Sequence, residues 1–110
     1  MLSACAADPR ADALLGDNAA VLYGQMSDAD VNLAVAAMQQ SLTDNPSGGT
    51  TAWENSTTGN SGSIIAGAVF VTNQGVFRRD YEERLVVGGV LGITINTACR
   101  DADGVWQLVG

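Results

Sequence analysis

Two kinds of hydrophobic spacing divide the chain. In the first, Val31, Val35, Met38 and Leu42 recur every three to four residues, with Ala34 alongside. That period puts them on one face of a helix. Ser27 stands just ahead as a good N-cap, because its side-chain oxygen accepts from a first-turn amide. Asp28 and Asp30 then place negative charge at the positive end of the helix dipole. Thr43-Asp44-Asn45-Pro46-Ser47-Gly48-Gly49 stops the helix and turns the chain.

From Thr50 onward the chain reads as extended segments punctuated by turn-formers. Strands are predicted over 50–54, 62–71, 76–87, 90–100 and 105–109. Between them lie Asn55-Ser56-Thr57-Thr58-Gly59-Asn60, Asn73-Gln74-Gly75, the tight reversal Gly88-Gly89, and Asp101-Ala102-Asp103-Gly104. A helix followed by a run of strands is an α+β layout. The expectation is one main N-terminal helix packed on an antiparallel β-meander of about four to five strands. The helix covers one face, because a sheet with an apolar face must bury it. Leu85-Val86-Val87 offers apolar residues to both faces and leaves that register open. Residues 27–110 form the domain, and 1–26 a tether with a short weak helix over 11–23.

Composition narrows the function classes. The 110 residues suit a single core, and with 46% hydrophobic residues, many of them alanine, and 13 glycines that core is modest. Twelve acids against five arginines give a net charge of −7, which argues against a nucleic-acid partner. Arg78, Arg79 and Arg84 cluster beside Asp80, Glu82 and Glu83, and read as a mixed-charge strand face in water. The sequence has no histidine, and so lacks the usual general base and metal ligand. The longest apolar run, residues 64–71, is far short of the roughly 20 residues a membrane-spanning helix needs.

Candidate chemistry is sparse. Asp101-x-Asp103-Gly104 has the opening of a calcium loop without its later ligands, and a hairpin turn explains it better. Glu54, Asp80, Glu82 and Glu83 show no spacing that singles out a catalytic pair. Gly59-Asn60-Ser61-Gly62-Ser63 has no lysine and no following helix, so it is a loop entering a strand and not a phosphate cradle. No cofactor or metal is implied, and no catalytic residue stands out. Trp53 and Trp106 have two readings, core packing for at least one or an exposed aromatic platform. On the second, Trp53, Asn55, Asn60 and Trp106 form a possible binding surface for a protein or glycan.

The first residues point to a compartment. Leu2-Ser3-Ala4-Cys5 has the form of a bacterial lipobox, and the polar, proline-containing stretch behind it suits a tether. The basic and hydrophobic parts of a signal peptide would then lie upstream of Met1. An acylated Cys5 carrying more than one chain is what stable membrane anchoring requires.

Several features of the second half are shared with one family. They are Trp53-Glu54-Asn55, Thr58-Gly59-Asn60-Ser61-Gly62-Ser63, Arg79-Asp80-Tyr81, Thr97-Ala98-Cys99-Arg100, Asp103-Gly104 and Trp106. Together they resemble the C-terminal domain of bacterial surface-antigen lipoproteins, the family of the rickettsial 17 kDa outer-membrane antigen, over roughly residues 26–110. The resemblance implies a lipid-anchored envelope protein at the outer membrane, in the periplasm or at the cell surface, with an envelope protein or peptidoglycan as possible partner and no established enzymatic activity. It also implies a second domain cysteine at the position of Arg78. With that cysteine missing, an intradomain disulfide is excluded and Cys99 is expected as a small buried residue on a strand. Relatives carry a glycine-zipper segment ahead of the domain, which Leu14-Leu15-Gly16-Asp17-Asn18 does not continue.

Overall fold

The helix begins where its cap predicts. Ser27 Oγ accepts from the Asp30 N–H at 3.1 Å, and Asp30 Oδ2 accepts from the Ser27 N–H at 3.0 Å. This reciprocal capping box opens α1 (Asp28–Asp44). At the other end the Asn45 N–H returns to Ser41 O at 3.0 Å, and Pro46 prevents continuation. The computed structural model describes residues 22–109, without the side chain of Val109. The lipobox and nearly all of the expected 11–23 helix lie outside the described residues; residues 22–24 are helical.

Five strands follow: β1 (Thr50–Asn55), β2 (Asn60–Val71), β3 (Phe77–Val87), β4 (Val90–Arg100) and β5 (Trp106–Val109). They pair antiparallel in the order β1-β2-β3-β4-β5, so the expected α+β meander is the observed one. The β3–β4 reversal spans only Gly88 and Gly89, both at positive φ, and sets Val87 opposite Val90. One extra residue enters β2 between Ala66 and Val69, a bulge on the β3 pairing. Gly67 sits in it because a Cβ there would lie 2.7 Å from Asp80 O.

The core lies between α1 and the inner sheet face. That face carries Trp53, Ile64, Ala66, Tyr81, Leu85, Val87, Ala98 and Trp106, and Leu22 packs with them from the segment before α1. The helix presents a different stripe from the one its large apolar residues suggest. Val35 is 45% exposed, whereas Asp30, Ala34, Ala37, Ser41 and Leu42 are buried. The helix has turned so that alanine and serine meet the sheet, which allows a close approach. Close approach also governs Trp53, whose indole lies over its cross-strand partner Gly62. A Cβ at Gly62 would come 2.5 Å from the indole nitrogen.

Gln39 closes one sheet edge. Its Nε2 donates to Trp106 O at 2.6 Å and its Oε1 accepts from the Trp106 N–H at 2.9 Å. The side-chain amide thus pairs with β5 as another strand would, and blunts a template for edge-to-edge association.

Two outcomes test this packing. Gly62→Ala forces the indole out of its seat and is expected to cost about 1–3 kcal/mol in urea denaturation. Gln39→Ala releases the Trp106 amide, whose native-state hydrogen exchange should accelerate while the exchange of amides within β3 is unchanged.

Candidate functional site

Three charged side chains are buried among the described residues, Asp30, Arg79 and Glu83, and each is bound into the scaffold. Asp30, at the N-terminal end of α1, has no exposed surface. Each of its oxygens accepts two hydrogen bonds. Oδ1 takes Asn55 Nδ2 and Thr58 Oγ1, both at 2.8 Å, and Oδ2 takes Asn60 Nδ2 at 2.8 Å and the capping Ser27 N–H at 3.0 Å. The β1–β2 loop thereby folds onto the helix start. Burial works against the ionised form, but the four donors outweigh it and hold the carboxyl well below the usual range.

Arg79 makes the matching contact at the other end of the helix. Its Nη1 donates to Leu42 O at 2.8 Å in the last turn of α1, and its Nε and Nη2 donate to Gly67 O in the bulge at 3.1 and 2.7 Å. Neutral carbonyls hold this buried cation, and burial lowers its pKa. The expected solvated face of arginines and acids is therefore corrected. Alternation along β3 sends Arg79 and Glu83 inward, while Arg84 and Glu82 stay outside as an ion pair at 3.0 Å.

Glu83 is the third group. It is buried on the inner face opposite Thr94, and Tyr23 Oη donates to its Oε2 at 2.6 Å. Burial raises its pKa and the tyrosine bond only partly opposes this. Tyr23 and Tyr81 are both pushed up, chiefly by burial and then by the Glu83 charge. Glu83 thus faces away from Asp80 and Glu82, and the acids of β3 do not converge. Among the described residues no group of three or more histidine, cysteine, aspartate or glutamate side chains is placed to hold a metal.

The residues expected as a binding surface are turned inward. Trp53 and Trp106 are 7% and 4% exposed, so both indoles are core and no aromatic platform forms. Asn55 and Asn60 donate to Asp30, and Asn60 Oδ1 also accepts from the Gly88 N–H at 3.0 Å. Asp101 is a turn residue, as its spacing suggests. Its Oδ1 accepts from the Asp103 and Val105 amides at 2.9 and 3.0 Å.

Cys99 is fully buried on β4 beside Val76, as expected of a strand cysteine, but it is not a lone thiol. Its sulfur is not free. The register does set Arg78 directly opposite Cys99, the position where the resemblance implies a second cysteine. Cys5 lies outside the described residues.

Sequence reasoning passed over the outer sheet face. Leu91, Ile93 and Ile95 project from β4 with 55%, 52% and 71% exposure. The signal was present in their alternation with Gly92, Thr94 and Asn96, which is apolar outward and polar or small inward.

Among the described residues, one main helix on a five-stranded antiparallel meander, with its buried charges bound into the scaffold, defines a small α+β module. Over an 84-residue stretch the chain is 37% identical to the 17 kDa surface antigens of Rickettsia bellii and Rickettsia rickettsii, and it is 36% identical over 80 residues to that of Rickettsia prowazekii. The shared stretch covers 76% of this chain and 53% of the first two relatives, and 73% and 50% in the third case. Across it, the chain belongs to the 17 kDa surface-antigen family. The chain spans about half the length of the curated relatives it matches. No family model matches it, and no solved structure matches it.

The buried carboxyls set opposite pH limbs. Asp30 is depressed, so its share of stability is present above its unfolded pKa, near 3.8, and is lost as pH falls through the folded value. Glu83 is raised, so stability is lost as pH rises from its unfolded pKa, near 4.5, through the folded value. Thermal melting against pH should therefore fall on both sides of this interval. Asp30→Asn should flatten the acid limb and Glu83→Gln the rise-of-pH limb.

Proposed function

We propose that this chain is the folded domain of a lipid-anchored bacterial envelope protein with a structural or interaction role and no catalytic activity. The observation that carries the reading is its kinship with proteins named surface antigens, which supports an envelope-exposed location. Leu2-Ser3-Ala4-Cys5 supplies the finer part, with acyl chains on Cys5 holding the domain at the outer membrane. No helix among the described residues is long and apolar enough to cross a membrane. The buried ionisable side chains support the non-catalytic role in a positive way. Asp30, Arg79 and Glu83 each spend their hydrogen-bonding capacity on tying one element to another.

A second reading is a periplasmic binding module for a protein or cell-wall glycan. It is favoured only by the exposed aliphatic row of β4, since Trp53, Asn55, Asn60 and Trp106 are turned inward.

Metabolic labelling with a fatty acid tests the anchor, using the gene expressed with its own upstream sequence. Label should enter the wild-type product, disappear in Cys5→Ala and persist in Cys99→Ala. A wild-type product that takes up no label refutes the anchoring.

A further inference from the structure

The outer face of the sheet is built like an inner one. On β4 the branched aliphatic side chains Leu91, Ile93 and Ile95 point away from the helix, while Gly92, Thr94, Asn96 and Ala98 point toward it. Exposed aliphatic rows of this kind mark contact surfaces. Neighbouring strands extend the patch. Ile65 on β2, Glu82 on β3 and Ile95 on β4 form one row across the sheet, and Ser63, Arg84 and Ile93 form the next. Glu82 and Arg84 are thus adjacent on the outer face and opposite in sign, Glu82 flanked by Ile65 and Ile95 and Arg84 by Ser63 and Ile93.

We propose that this face is the interface of a homodimer, two copies stacking sheet on sheet about a two-fold axis. An axis lying between the sheets, at right angles to the strands and passing between these two rows, exchanges one row for the other. It sets Glu82 of one copy over Arg84 of the second, and Ile95 over Ile93. An isologous contact of this kind requires a self-complementary patch. The two adjacent rows meet that requirement, since each places one charge of either sign beside an isoleucine. Aligned sheets pack about 10 Å apart, a spacing that interdigitated side chains of this size fill. Four charges then alternate in sign at the centre, with the isoleucines beside them removed from water. A lipid surface suits the face less well. Asp80 and Glu82 stand among the apolar groups, and a chain of net charge −7 is repelled by anionic headgroups.

The geometry makes a test of charge reversal possible. Glu82→Arg puts arginine over arginine in a homodimer, and Arg84→Glu puts glutamate over glutamate. Mixed together, these two variants restore both opposite-charge contacts, and so does the double variant Glu82→Arg/Arg84→Glu on its own. Sedimentation velocity of the 110-residue chain over a concentration series should show a wild-type dimer. Each single reversal should weaken it by about tenfold or more. The equimolar mixture and the double variant should recover it, with far-UV circular dichroism confirming that every variant is folded. A wild-type chain that sediments as a monomer throughout overturns the proposal. So does a dimer indifferent to the single reversals, or one that the mixture and the double variant both fail to restore.

Discussion

The domain depends on two buried charges, one at each end of its helix, held by neutral dipoles. Asp30 sits at the positive end of the helix dipole and Arg79 against the carbonyls at the negative end, so both signs agree with the field they meet. Each also reaches a loop or bulge of the sheet. Asp30 gathers Asn55, Thr58 and Asn60, and Arg79 takes the Gly67 carbonyl. A helix whose buried face is Asp30, Ala34, Ala37, Ser41 and Leu42 has few large side chains to interlock with a sheet. Dispersion and burial alone would leave such a helix several nearly equivalent positions. Directional hydrogen bonds to a desolvated charge do not, because a shift at either end strands an ion without its donors or acceptors.

This constraint explains which features the sequence discloses. The turn chemistry is local, so Gly88-Gly89, Asp101-Ala102-Asp103-Gly104 and Asn73-Gln74-Gly75 fix the meander and its strand bounds to within a residue or two. Ser27 with Asp30 three residues later likewise marks the helix start. The helix face is a different matter. Val31, Val35, Met38 and Leu42 form the stronger apolar stripe, yet long-range contacts at Asp30 and Arg79 rotate Val35 into water. No periodicity contains the information that Asp30 will accept from residues 25 to 30 positions away. For the same reason Asn55 and Asn60 read as exposed loop residues. Their partner lies on another element, and polarity by itself does not say whether an amide faces solvent or a buried carboxylate. Cys99 was legible as a buried strand residue.

The remaining tension lies in β4, whose amphipathicity is reversed. Burying the apolar side of this strand against the helix would remove Leu91, Ile93 and Ile95 from water, with aliphatic burial worth about 25 cal/mol per Å². The chain instead buries Thr94 and Asn96, and on the facing strand Glu83, whose desolvation raises its pKa. A slip of one residue would flip every side chain of β4 to the opposite face. What prevents it acts at the two ends of the strand. The two-residue Gly88-Gly89 turn admits one register, Val87 opposite Val90, and at the far end Arg100 pairs with Trp106, whose backbone Gln39 grips from the helix. The polar inner residues are also partly provided for, since Tyr23 donates to Glu83 from the segment that precedes the helix. With both ends of the strand pinned, the isoleucines face outward as a consequence of the fold's hydrogen bonding and against the preference of their own side chains. The helix side of the domain is complete in one chain, and the opposite side carries its aliphatic surface uncovered.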